Sequence, residues 1–194
     1  MISQITTEKD QNIKSSIMET MKWEIDPSHS EMLFKIKHLE IATITGRFDE
    51  ISGTAEAQED FENAVFSFTA NVDSIDTNDK NRDAHLKSAD FFDAEKYPKI
   101  SFCSTKFKRI GDATFEIIGK LTIKEITKPT ILHIDYGGTN IDHWGNKKTG
   151  LKLKGVINRK DFGLVWNSAI EAGGVLVSEE VRINGNIELV QKQQ

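Results

Sequence analysis

Five histidines, one cysteine and scattered carboxylates are the groups in this chain that could do metal or covalent chemistry. The histidines stand at His29, His38, His85, His133 and His143, and no His-x-x-x-His or Glu-x-x-His pair occurs among them. A metal-binding helix needs two ligands on one face, so this scatter carries no ligand spacing. His29 and His85 could meet a carboxylate such as Asp93 in space. His29 follows Asp26-Pro27-Ser28, however, and the local hydrogen bonds of a turn account for it there. No metal site is expected. Cys103 lies in Ile100-Ser-Phe-Cys-Ser with no neighbouring base, and reads as a small buried residue. A single cysteine forms no internal disulfide. Gly-x-Ser-x-Gly, Gly-x-x-x-x-Gly-Lys and Gly-x-Gly-x-x-Gly are all absent, so neither a nucleophile elbow nor a phosphate cradle is encoded. Glu179-Glu180 at a strand start reads as solvated surface. No catalytic constellation stands out.

The elements that must position these groups are strands. Met32, Phe34 and Ile36 alternate with Leu33, Lys35 and Lys37, and Phe66, Phe68, Ala70 and Val72 with Ser67, Thr69 and Asn71. The same period of two runs through Phe115–Ile123, Thr130–Tyr136, Leu151–Ile157 and Val181–Leu189. Successive strand side chains point to opposite faces, so this is a sheet with one wet face. Weaker strands near 22–26, 44–58 and 99–109 bring the number to eight or nine. Gly119, Gly155 and Gly185 each interrupt an apolar face, which favours a strongly coiled sheet and hence a barrel. One segment, near residues 77–92, breaks the period and reads as a helical insertion capped by Asp76 or Thr77, with Phe91 and Phe92 plugging it onto the barrel. Gly137–Asn146 reads as a hairpin connection, and Asn158–Leu164 as an irregular turn. Residues 1–21 form a polar N-terminal tail in which Ile13 and Ile17 allow a short helix; residues 22–191 form the one domain.

Composition narrows the function. The 194 residues carry 25 Lys+Arg against 30 Asp+Glu, a net charge of -5, which gives no basic stripe for nucleic acid. No apolar run approaches the roughly 20 residues of a membrane helix. The N-terminus has no basic start or apolar stretch of a secretory signal, so a cytoplasmic protein is expected. Eleven Phe stand against 3 Trp and 2 Tyr. They make either a filled core or the walls of an apolar cavity, and periodicity does not separate the two.

Specific residues carry a resemblance. Trp23-Glu-Ile-Asp-Pro-Ser-His-Ser, then Phe34-Lys-Ile-Lys-His-Leu, then Gly46-Arg-Phe form one motif. Ser74-Ile-Asp-Thr77, Arg82-Asp-Ala-His-Leu, Asp90-Phe-Phe-Asp and Tyr97-Pro-Lys-Ile-Ser-Phe form the second. Gly119-Lys-Leu-Thr-Ile with Thr127-Lys-Pro is the third, and Asn158-Arg-Lys-Asp-Phe-Gly-Leu-Val-Trp166 the fourth. In this order, over about residues 22–190, they resemble the YceI family of lipocalin-like polyisoprenoid-binding proteins.

The resemblance implies an all-β fold, an antiparallel lipocalin-like barrel of about eight strands. It also implies a bacterial protein that often pairs as a homodimer and binds a long apolar lipid without catalysis. That lipid would be a polyisoprenoid, an isoprenoid quinone or a fatty-acid derivative, with no other cofactor. On this reading Phe34, Ile36, Phe48, Phe66, Phe68, Phe102, Phe115, Ile117, Leu121, Leu132, Leu151, Leu153 and Ile187 would be tunnel walls, and the inward glycines would leave room for the guest. His29, Arg82 and His85 would meet a head group at the mouth by charge-assisted hydrogen bonds, or Arg82 and His85 would instead pin the helix to the barrel. Two alternatives remain at this point: a stress-response or interaction module whose barrel is packed shut, and a lipid-modifying enzyme using His29 or His85 as a base.

Overall fold

The computed structural model describes residues 20–58, 61, 64–169 and 176–192; the tail with its expected Ile13–Ile17 helix lies outside them. The chain forms β1 (Met21–Ile25), β2 (Glu31–His38), β3 (Ala42–Phe48), β4 (Ile51–Ala57), β5 (Val65–Asn71) and β6 (Ile75–Asp76). Helix α1 (Lys80–Lys87) follows, then β7 (Lys99–Arg109), β8 (Thr114–Ile123), β9 (Ile126–Ile141), β10 (Lys147–Asn158) and β11 (Val177–Gln191). All pairings are antiparallel.

Eleven strands make eight staves, because three staves are broken. A 3-10 turn at Pro27–His29 bends β1 into β2, two residues separate β3 from β4, and a 3-10 turn at Val72–Ser74 separates β5 from β6. β1 pairs with β4 while β2 pairs with β3, and β4 pairs with β5 while β3 pairs with β6. Each broken pair therefore runs as one bent stave. β7 to β11 follow in chain order. Closure falls on β11, which pairs with β2 up to Asn186↔Glu31 and with β1 from Ile25↔Leu189 to Trp23↔Gln191. Every stave lies beside its chain neighbour, so the topology is an up-and-down barrel with no free edge along the closed part.

The period of two is obeyed closely. On β8, Phe115, Ile117, Gly119, Leu121 and Ile123 face inward and are buried. Cys103 corrects the expectation of a buried thiol: it is exposed, since Phe102 beside it takes the inward position. The inward glycines also act otherwise than expected. A Cβ at Gly119 would stand 2.3 Å from the Phe102 ring, and one at Gly155 2.4 Å from a Leu132 methyl. Neighbouring side chains, not a guest, occupy the space those glycines release.

The helical insertion is shorter than the expected 77–92. Its N-cap is Asp79, whose carboxylate accepts from the Asn81 and Arg82 amides, rather than Asp76 or Thr77. Phe91 is buried and Phe92 packs edge-on against Phe48, so both plug the segment as expected. The 137–146 hairpin loop is also shorter, because β9 runs on to Ile141 and only 142–146 turn. Asp142 organises that turn by accepting from the Trp144 and Asn146 amides. Among the described residues no helix is long and apolar enough to cross a membrane.

Candidate functional site: an apolar cavity with a polar rim

The barrel encloses a cavity of about 530 Å3. That is within the range of small-molecule sites and far above the voids of a packed core. Its walls are the inward residues of the staves. Every expected wall residue lines it except Phe115. Phe115 stands one inward step below Ile117, where the cavity has already ended.

Aromatic rings make that lower end. Phe115 stacks on Phe107 at 4.7 Å between centroids and meets Tyr136 edge-on at 6.4 Å. Phe61 lies 5.6 Å from Tyr136 and 5.4 Å from Trp23, and Phe66 is 5.5 Å from Phe107. On β9 the lining stops at Ile134, before Tyr136, and on β10 at Leu151, before Thr149. Three adjacent staves thus run out of cavity at one level. The Trp23 Nε1 is the one buried side-chain donor without a partner among the described residues.

The opposite end is polar. Thr77, Asn81, Arg82, His85, Thr130 and Arg159 line it, beneath α1 and the 159–166 segment. Arg82 does pin the helix: its Nε donates to Thr77 Oγ1 at 2.7 Å and its Nη2 to the Thr77 carbonyl at 2.6 Å. Thr77 in turn donates its hydroxyl and amide to Asp83. Arg82 also lines the cavity, so one guanidinium both pins the helix and borders the opening. His85 lies 3.0 Å from Asp90 and stands edge-on to Trp166 (4.8 Å) and Phe91 (5.1 Å). These three rings form one side of the rim.

Arg159 is the rim residue that sequence reading missed. The 3-10 turn Arg159–Phe162, capped by Asn158, carries it inward, and only 2% of it is exposed. It donates to the carbonyls of Ser178 (2.8 Å), Trp166 (2.8 Å), Val177 (3.3 Å) and Leu164. Burial lowers its pKa, with nearby Glu179 opposing. The Asn158–Trp166 motif contained it. A buried arginine that bonds only carbonyls has no sequence signature, however, since its partners are backbone.

His29 lies elsewhere. It does not line the cavity but sits at the β1–β2 bend on the outer wall, 2.9 Å from Asp26 and 3.6 Å from Glu188. His29 and His85 thus have different carboxylate partners, and neither is Asp93. Asp26, His29 and Glu188 are the one group of three metal-ligating side chains gathered among the described residues. The Lys148 ammonium is bound there, 3.1 Å from Asp26 and 2.7 Å from Glu188. The Ser28 hydroxyl, His29 and Lys148 hold the Asp26 carboxyl far below the usual carboxylate range against the opposing effect of burial. Glu188 and Asp26 raise Lys148 above the usual amine value. The arrangement is a salt lock between the bend and the closing strand.

Comparison with known proteins follows the same outline. The model of the YceI-like domain matches residues 23–189. A UPF0312 protein of Staphylococcus aureus is 33% identical over 165 residues, which cover 84% of this chain and 94% of that one. A UPF0312 protein of Photorhabdus laumondii is 37% identical over 153 residues, covering 78% of this chain and 79% of that one. Among solved structures, the Campylobacter jejuni YCEI protein matches with TM-score 0.70 and 31% identity over 82% of this chain and 91% of its own. A polyisoprenoid binding domain from Saccharophagus degradans shares the fold, with TM-score 0.65 and 13% identity over 89% and 99%.

Proposed function

We propose, because the chain belongs to the family of YceI-like domains, that its barrel binds and carries one long apolar lipid, tail inward, with no chemical step. The observation that carries this is the 530 Å3 cavity with apolar walls and a polar rim. Native interiors pack to crystal density with few voids larger than a water. A barrel packed shut by its phenylalanines would leave no such space, so the cavity favours the binding reading over the interaction module. Burial of a chain against these walls contributes roughly 25 cal/mol per Å2 of apolar area. The binding domain from Saccharophagus degradans supports an isoprenoid among the candidates. An isoprenoid quinone and a fatty-acid derivative have the same apolar character.

The rim sets the head group's chemistry. Arg82, Asn81 and His85 line the opening, and nitrogen-bearing side chains there suit an oxygen-bearing head that accepts charge-assisted hydrogen bonds. The enzyme reading finds less support. His29 is off the cavity, and His85 is turned to Asp90 and two rings. The test is mild purification from the native host, denaturing extraction and lipid mass spectrometry. A stoichiometric prenyl, quinone or fatty species is expected. A protein that emerges empty and takes up no fluorescent long-chain probe overturns the reading.

A further inference from the structure

The lower end of the cavity is a floor of rings, and it lies at a defined depth. On β8 the inward positions run Ile123, Leu121, Gly119, Ile117, Phe115. Ile117 lines the cavity and Phe115 does not. The Phe115 ring is 2% exposed and fixed from three sides: Phe107 stacks on it, Tyr136 abuts it, and the Arg109 guanidinium lies 4.7 Å from its centroid. Rings held by several partners do not swing aside for a tail as a lone methionine would. A tail that enters from the rim is therefore stopped at Phe115.

We infer that Phe115, backed by Phe107 and Tyr136, is the residue that sets the maximal chain length of the bound lipid. The inference rests on the binding reading above and adds a length to it. The cavity is finite, about 530 Å3, so wall contact ends where the tail meets the Phe115 ring. A longer chain keeps its surplus outside the rim, where it gains no wall contact. Replacing a core side chain by alanine opens space on the order of 150 Å3, which accommodates about one more isoprene unit.

The test is displacement of a bound fluorescent fatty-acid probe by geranyl, farnesyl, geranylgeranyl and octaprenyl phosphates. For the unaltered protein, affinity rises roughly tenfold or more with each added unit while the tail still finds wall, then levels off before octaprenyl, once the tail reaches Phe115. In Phe115→Ala the plateau moves one unit longer. In Ile117→Phe, which places a ring one step nearer the rim, it moves one unit shorter. Should Phe115→Ala fail to fold, Phe115→Leu replaces it, and Ile117→Phe tests the inference from the other side. Affinity that climbs undiminished through octaprenyl phosphate, or a plateau that neither substitution moves, overturns the length limit while leaving lipid binding in place. No displacement by any chain overturns both.

Discussion

Arg159 donates to four backbone carbonyls from a nearly sealed position, which makes it a clamp rather than a charge looking for a partner. It joins the 159–166 segment to the start of β11, so one side of the rim depends on its fork. Arg159→Met leaves several carbonyls unpaired, each costing about 1–3 kcal/mol when buried. We expect a clear drop in thermal midpoint, and Arg159→Lys rescues little, because an ammonium lacks the planar fork. Asp26 gives a pH signature. Its folded pKa is depressed below the unfolded value of about 3.9, so its contribution is full above that value and is lost as pH falls through and below it. Asp26→Asn is therefore less stable than the parent at neutral pH, and the two acid-unfolding curves converge below about pH 4. Curves that stay a constant distance apart down to about pH 2 would show that the charge on Asp26 contributes nothing. Of these residues, the turn at His29 was legible because Asp-Pro-Ser is a local signal. Lys148 was not, because it lies 122 positions away in the chain from Asp26.

At the scale of elements, α1 is eight residues long and has no buried residue. A helix so short is marginal in isolation. Its cap at Asp79 and the Arg82–Thr77–Asp83 bonds hold it in place. Asp79→Ala costs about 1 kcal/mol, read by chemical denaturation. Thr77→Val removes the hydroxyl that Arg82 and Asp83 share, and amide exchange in Lys80–Lys87 speeds up while that of β8 does not. Equal acceleration of both would mean that the helix is not separately anchored. The strands were legible from their period of two, and the α1 segment from its loss. The three broken staves were not. A 3-10 turn capped by Asp26 or Asn71 reads locally as a loop between two strands, and only the pairings of β1 with β4 and β3 with β6 reveal continuity. The glycines marked coiling correctly and the use of the vacated space wrongly, because the intruding ring of Phe102 or methyl of Leu132 comes from another strand.

For the molecule as a whole, closure joins the first strand to the last, Trp23 beside Gln191. The barrel is complete only when both ends of the domain are in place. Removing residues 188–194 takes away the β1 seam together with Glu188 of the salt lock, so we expect loss of cooperative unfolding and of long-chain probe uptake in the same variant. A truncated chain that still melts sharply and takes up the probe would mean that β2 alone can close the sheet against β11. Such pairings between distant residues also predict slow refolding, on the order of milliseconds to seconds. Fold class was open to sequence because alternation is a repeated signal. Whether the interior is filled was not, since a packed core and a cavity wall need the same inward residues. Nor was the lower end of the cavity, where Phe107, Phe115 and Tyr136 gather from three strands.

A blind end also bears on traffic. With rings across the bottom, a chain bound as proposed would leave by the rim it entered, beneath α1 and Trp166. Loading and unloading on that reading share one threshold. A substitution that stiffens it slows both directions alike and leaves the equilibrium unmoved, whereas one that deepens the recess prolongs residence without changing the pace of entry.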